Sequence, residues 1–166
     1  MEFILKQIEA SLTVKLYVIA LQSTIALPDI CGALQSNDGI ANKSKYRKWF
    51  NKYFKSKTCL TAEECYKFRC CLLHQGMSYR NDSAIKRVIF IYPNDSIKVK
   101  DCHFITPNDE TVCIDLIDFC TDMIDAVRRW EKDMQDNSNF VKNYSRLINI
   151  YPNGISPFVV GIPVIG

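Results

Sequence analysis

The sequence predicts a mainly α-helical fold of the α+β class: a helical bundle with an inserted β-hairpin and an extended apolar C-terminal tail. Apolar residues recur at helical spacing over most of the chain, one short β-branched run interrupts them, and the last residues are rich in proline and glycine. The 166 residues suffice to bury a core, and no repeat or flexible linker divides them. We therefore expect one domain over residues 1–166.

The N-terminal region predicts one long helix from about Glu2 to Ile25, which Pro28 stops or kinks. The apolar stretch Leu16–Leu27 imitates the core of a signal peptide, but acidic Glu2 and Glu9 stand where such a peptide is basic. No uninterrupted apolar run approaches the roughly 20 residues of a membrane span. These features favour a core helix.

Two helices follow in the middle of the chain. The first fits Lys43–Lys55. The second begins with Thr61 and Glu64, which have the spacing of a capping box, and ends near Gly76, a residue typical of helix C-termini.

A short β-structure is predicted next. Val88–Tyr92 is rich in β-branched and aromatic residues, and Ile97–Ile105 alternates loosely between apolar and polar residues. We expect these segments to pair as a hairpin, which Pro107-Asn108-Asp109 ends.

The C-terminal third predicts a long helix from Val112 to about Met134 and a last helix from Ser138 to Ile150. The tail from Tyr151 to Gly166 is apolar. We expect it to lie extended against the domain, because exposing it would leave a large apolar patch.

The eight cysteines contain no Cys-x-x-Cys pair, and most lie in apolar runs. This favours a reduced, cytoplasmic protein, with a secreted disulfide protein as the alternative. Cys65, Cys70, Cys71 and His74 point in several directions on one helix, so they do not predict a zinc site. Cys70 or Cys71 as a nucleophile activated by His74 is less favoured than apolar packing. We expect no metal and no cofactor.

The segment Phe68–Gly76 carries the strongest chemical signal, because it holds Arg69 and one of the two histidines, His74. An arginine binds phosphate charge and a histidine moves protons near neutral pH. In an ideal helix, however, residues five apart point about 140° away from each other. Their meeting therefore requires unwinding at Gly76 or a second copy of the chain. Alternatively, Arg69 is an exposed residue and His74 a favourable cation at a helix C-terminus.

Arg69-Cys-Cys-Leu-Leu-His74, followed by Gly76, resembles the Arg-x4–6-His signature of the HEPN superfamily. Those domains are all-helical and often dimeric, and many are metal-independent ribonucleases of toxin–antitoxin, abortive-infection or CRISPR-associated systems. The resemblance implies a HEPN-like bundle in which Arg69 and His74 are catalytic, a homodimer, RNA as substrate, and an antitoxin or other protein as partner. We add Asp29 as a residue that orients His74, or that only caps a helical turn. Through residues 26–32 and 161–166, the chain also resembles an uncharacterised bacterial family that implies no function.

Basic and acidic stripes complete the pattern. Four lysines share one face of the helix predicted at Lys43–Lys55 and are candidate RNA contacts or a solvated surface: Lys45, Lys48, Lys52 and Lys55. Its aromatic face, Tyr46, Trp49, Phe50 and Tyr53, is predicted to be core. Four carboxylates recur on the long helix and are expected to meet water or a protein partner: Asp115, Asp118, Asp122 and Asp125.

Net charge is only +3, which is too small to establish a nucleic-acid partner from composition alone. The motif and the lysine stripe together predict a HEPN-like RNA-binding domain, a metal-independent endoribonuclease of a toxin–antitoxin or phage-defence system. The alternative is a non-catalytic helical module that binds a protein or nucleotide partner.

Overall fold

Two helices in the computed structural model occupy the region where the sequence predicts one: α1 at Glu2–Thr13 and α2 at Tyr17–Leu34. They separate at Lys15, whose φ of 60° is left-handed. The N–H of Leu16 bonds to the carbonyl of Ser11, and the N–H of Lys15 to that of Leu12, the hydrogen-bond pattern of a Schellman helix end. The structure describes residues 1–81, 83–94, 96–98, 100, 102–106 and 110–166.

Pro28 lies inside α2, so the first of the two predicted alternatives, that it stops the helix, is wrong. The helix continues to Leu34 because tertiary packing outweighs the lost backbone hydrogen bond: Leu27, Cys31 and Leu34 are all buried. Helix α2 has the length and composition of a membrane span, which the sequence analysis did not anticipate, but 56% of it is buried inside the domain. It is the central helix of the core.

Helices α3, Lys43–Tyr53, and α4, Ala62–Gln75, confirm the two predicted middle helices. Thr61 and Glu64 form the capping box, and Gly76 ends α4 with a left-handed φ of 67°. Helices α2 and α3 approach closely at Gly32, where an added Cβ would lie 3.1 Å from the Cβ of Lys45. The small residue therefore lets α3 pack directly on the central helix.

The predicted β-hairpin is wrong. Strand β1, Arg87–Ile91, pairs in parallel with β3, Thr111–Asp115, and β2, Phe104–Ile105, pairs antiparallel with the other edge of β3. The sheet order is β1–β3–β2. The predicted turn at residues 107–109 lies outside the described residues.

The long C-terminal helix starts later than predicted. Residues Val112, Cys113 and Ile114 lie in β3, and α5 spans Leu116–Asp133 with Asp115 as its N-cap. All three β3 residues are buried, as in a strand covered on both faces, so a continuous apolar run was mistaken for a helical stripe.

The C-terminal tail does not lie extended against the domain, contrary to the prediction. Helix α6 covers only Ser138–Tyr144, and the chain then folds on itself. Strand β4, Ile150–Tyr151, pairs with β7, Val164–Ile165, and β5, Gly154–Ile155, pairs with β6, Val159–Val160. Several of the tail's large apolar side chains remain exposed, Phe158 to 85%.

The core joins all six helices, α1 to α6, with β1 and β3. Its largest fully buried side chains are aromatic and come mainly from α3 and α5: Tyr46, Trp49, Phe50, Phe119 and Trp130. The predicted aromatic core face of α3 is thereby confirmed, apart from half-buried Tyr53. All eight cysteines are free thiols, and five of them are buried.

Candidate functional site

Arg69 and His74 meet within one chain. Nη1 of Arg69 lies 3.3 Å from Nε2 of His74, although the two residues are five apart on α4. The helix is regular through Gln75, so neither unwinding at Gly76 nor a second copy is needed. The expectation from the helical wheel was wrong because the arginine stem is long enough to reach along the helix to the last turn.

Asp29 belongs to the same cluster, but its position differs from the prediction. Its Oδ2 lies 2.6 Å from Nε of Arg69, across the contact between α2 and α4. Asp29 was expected to orient His74; it pairs with Arg69 instead and reaches His74 only through that residue. The structure therefore aligns carboxylate, guanidinium and imidazole in that order. We call these three residues the Asp29–Arg69–His74 cluster.

The cluster runs from the interior to the surface. The side chain of Asp29 is 9% exposed and that of Arg69 is 19% exposed, whereas His74 is exposed. Burial raises the pKa of the Asp29 carboxyl above its usual value, and the neighbouring Arg69 opposes that rise. For Arg69, burial alone would lower the guanidinium pKa, but Asp29 and Cys70 hold it above its usual value.

The contact between Arg69 and His74 indicates the tautomer of the histidine. An arginine has only donors, so a hydrogen bond at this contact requires Nε2 of His74 to accept, with the ring proton on Nδ1. In that tautomer the lone pair of Nε2 faces Arg69. A phosphate entering between them would find a donor on one side and a proton acceptor on the other.

Tyr66 connects the cluster to the basic helix α3. Its ring centroid lies 5.9 Å from Cζ of Arg69 and 6.0 Å from Nζ of Lys43. On the same helix as Lys43, Arg47 and Lys48 border a groove of about 510 Å³. Lys43 and Arg47 share one counter-ion, Glu63, at 2.7 and 3.5 Å. Sequence reasoning overlooked this pair because it placed the basic stripe on the other lysines.

The four lysines predicted to contact RNA do not form a stripe of free cations. Lys45 is tied to Asp38, to the Ser36 hydroxyl and to a backbone carbonyl in the loop before α3. Nζ of Lys52 lies 4.8 Å from the Tyr53 ring, and Lys55 donates to the carbonyl of Leu60. Lys48 is exposed and borders the groove beside Arg47.

The acidic stripe on α5 is only partly solvent-facing. Asp115, expected on an exposed face, is 1% exposed and caps α5 by accepting from the N–H groups of Ile117 and Asp118. Asp122 pairs with Lys57 at 3.1 Å, and Asp118 lies 3.9 Å from His103. Among the described residues, no group of three or more histidine, cysteine or carboxylate side chains converges as a metal site would require.

Comparison with protein-family models, with curated proteins and with solved structures finds no match to this chain. The arguments for function therefore come from the residues and their geometry.

Proposed function

We propose that this domain is a HEPN-like, metal-independent endoribonuclease that cleaves single-stranded RNA. The observation that carries the proposal is the 3.3 Å contact between Arg69 and His74. On its buried side, Arg69 forms an ion pair with Asp29. The contact joins an anion-binding group and a proton acceptor on the surface of the domain.

In the proposed reaction the scissile phosphate enters between Arg69 and His74. Nε2 of His74 takes the proton of the adjacent ribose 2′-hydroxyl, and the 2′-oxygen attacks phosphorus. The guanidinium of Arg69 binds the non-bridging oxygens, on which negative charge accumulates. The bond to the 5′-oxygen breaks, and the imidazolium returns its proton to this leaving oxygen. The products are a 2′,3′-cyclic phosphate and a 5′-hydroxyl.

Asp29 has a positioning role in this reaction. Its carboxylate pairs with Nε of Arg69, so the terminal nitrogens, of which Nη1 contacts His74, remain for the entering phosphate. The position and charge of Arg69 are therefore set before RNA binds, which reduces the cost of reorganisation during the reaction.

The RNA strand is proposed to run from the cluster over Tyr66 towards Lys43, Arg47 and Lys48. Lys43 and Arg69 lie on the same tyrosine ring, so the cations of α3 continue the positive surface of the cluster. Phosphates of a bound strand would compete with Glu63 for Lys43 and Arg47. This path keeps Lys48 of the four predicted lysines and replaces Lys45, Lys52 and Lys55 by Lys43 and Arg47 in the RNA-binding face.

The HEPN resemblance adds biological context to the proposal: a homodimeric, cytoplasmic enzyme of a toxin–antitoxin or phage-defence system, restrained by an antitoxin or another protein partner. Size-exclusion chromatography with light scattering tests the dimer separately from the chemistry. The reaction described above needs only one chain.

The decisive test is cleavage of a labelled single-stranded RNA in EDTA. We expect the wild-type protein to produce fragments with 2′,3′-cyclic phosphates, and His74→Ala to lower the rate by about 10²–10⁴-fold. His103→Ala removes the other histidine and should cleave like wild type. Unchanged cleavage by His74→Ala, or cleavage that stops in EDTA, would overturn the proposal.

One observation favours a second function, a non-catalytic helical module. Arg69 already has a buried counter-ion in Asp29, and this pair alone would hold α2 against α4. In that case Arg69 stabilises the fold and His74 ends the helix. No RNA cleavage would be seen, and the module would act by binding a protein or a nucleotide.

A further inference from the structure

The C-terminal tail forms a small folded unit outside the hydrophobic core. Leu147 is the last apolar residue along the chain that packs against the core, and no residue in the range 148–166 is buried. The unit is held by its own contacts. Asn149 and Gly166 exchange two backbone hydrogen bonds of 2.8 and 3.1 Å, and a Cβ added to Gly166 would lie 2.9 Å from Cδ1 of Ile155. The tail therefore displays its side chains on an ordered scaffold that the domain does not cover.

The side chains that the tail displays are large and apolar. Phe158 is 85% exposed, and its N–H donates to the carbonyl of Ile155 in the turn between β5 and β6. Four other apolar side chains in the range 148–166 are each more than half exposed: Ile148, Val160, Ile162 and Ile165. The sequence from residue 147 to residue 166 contains no charged side chain. A nucleic acid or an anionic membrane would attract cations on this surface, so the tail fits a neutral, apolar partner.

An apolar cleft of about 350 Å³ opens where the tail leaves the domain. Its apolar walls come from α2, from the loop before α3 and from the chain after α6: Ile30, Ala33, Leu34, Ala41 and Leu147. The volume lies within the usual range for sites that bind small molecules, so the cleft admits a phenyl ring. Phe158 of the same chain does not fill it, because that side chain is almost fully exposed.

We propose that two copies of this chain pair about a two-fold axis, with Phe158 of each copy in the apolar cleft of the other. Leu147 is a wall of the cleft and lies directly before the tail, so the surface that inserts and the surface that receives are neighbours on one chain. A two-fold pairing therefore covers both surfaces on both copies. A lipid surface would cover the tail alone, and a small apolar ligand would cover the cleft alone.

The charges around the cleft are compatible with this pairing. Asp29 and Arg146 border the cleft, and the inserted ring brings no charge to either of them. Asp29 keeps its ion pair with Arg69, and Arg146 is exposed at the rim, where a guanidinium can lie over the face of an aromatic ring. An aromatic side chain in a preformed pocket is a typical hot spot of an interface. The pairing gives the homodimer of the proposed function an interface, but it requires no RNA cleavage.

Sedimentation equilibrium of the full chain over a range of concentrations tests this inference. We expect a monomer–dimer equilibrium in which Phe158→Ala raises the Kd of the dimer about 30-fold, as for an interface hot spot. Val18→Ser removes a side chain that is 63% exposed at the opposite end of α2 from the cleft and should dimerise like the wild type. His74→Ala should also dimerise like the wild type, which separates dimerisation from RNA cleavage. A wild-type protein that stays monomeric at millimolar concentration, an unchanged Kd in Phe158→Ala, or equal weakening by Val18→Ser would overturn the inference.

Mixing two variants tests whether the tail of one copy meets the cleft of the other. Ala33→Leu fills the cleft and keeps the tail, whereas Phe158→Ala keeps the cleft, so each variant alone loses both contacts of its homodimer. In an equal mixture, Phe158 of one variant meets the intact cleft of the other, and one contact is restored. We expect the mixture to dimerise more tightly than either variant alone.

Thermal melting is the control for folding of these variants. If Ala33→Leu does not fold, Ala41→Leu fills the cleft from an exposed position in the loop before α3. A mixture of folded variants that dimerises no more tightly than each variant alone would mean that the tail and the cleft do not meet, and would overturn the inference.

Discussion

Arg69 and Arg128 each tie one helix to another by ion pairs, Arg69 inside the domain and Arg128 on its surface. Among the residues that the structure describes, Arg69 has one carboxylate partner, Asp29, and both side chains are largely buried. Arg128, on α5, lies 2.8 Å from Glu2 and 2.9 Å from Glu9, both on α1, and these side chains are 35–48% exposed. Arg69, which has fewer partners than Arg128, therefore lies in the environment where an unpaired charge destabilises the fold most.

The difference shows why a count of ion pairs is a poor guide to function or stability. Water can replace any partner of Arg128, so its network fastens α1 to α5 only weakly. Water cannot easily replace Asp29, so the position of Arg69 depends strongly on this one carboxylate. A site that must hold a guanidinium in position for a phosphate therefore gains more from one buried partner, as at Arg69, than from several exposed partners, as at Arg128.

The largest expected effect is on the stability of variants that remove one carboxylate. Asp29→Ala removes the oxygens that face Nε of Arg69 and should lower the free energy of unfolding by about 1–3 kcal/mol. Glu2→Ala removes an exposed partner of Arg128 and should cost less than about 1 kcal/mol. Urea unfolding followed by circular dichroism measures both. Equal losses would mean that the two arginines are not in different environments.

The contributions of Asp29 and Glu2 to stability should depend on pH with opposite signs. Burial raises the pKa of Asp29 above its usual 3.8, so the folded state holds that proton more tightly than the unfolded state. The stability of the wild type relative to Asp29→Asn should therefore be highest below pH 3.8 and fall as pH rises through the folded-state pKa.

Glu2 should show the opposite dependence. The hydrogen bonds from Arg128 lower its pKa below the usual 4.5, so its contribution is present above pH 4.5 and is lost as pH falls through the folded-state pKa. Urea titrations of wild type, Asp29→Asn and Glu2→Gln between pH 3 and 7 measure both slopes. Slopes of the same sign would contradict the difference in burial.

The elements that the sequence predicted well are those with local end signals. Helix α4 carries a capping box at Thr61 and a left-handed glycine at Gly76, and both signals act within a few residues. The end of α1 was missed because Lys15 occupies the left-handed position where glycine is usual. The parallel pairing of β1 with β3 was missed because it depends on contacts between distant parts of the chain.

The sequence analysis named the three residues of the Asp29–Arg69–His74 cluster, but it did not predict how they are arranged. Arg69 and His74 were found from the chemistry of their side chains, and Asp29 was included as a residue that orients His74. The helical wheel then argued wrongly against the contact, because it places side chains by direction and ignores their length.

Salt should produce the smallest of the expected effects. Raising NaCl from 0.15 to 1 M shortens the screening length from about 8 to about 3 Å, which weakens exposed charge pairs and leaves buried ones nearly unchanged. The stability difference between wild type and Glu2→Ala should therefore shrink by a few tenths of a kcal/mol. The difference for Asp29→Ala should stay constant within the error of urea unfolding. If the Asp29→Ala difference shrank equally, water and ions would reach Arg69, and its charge would not be positioned by Asp29 alone.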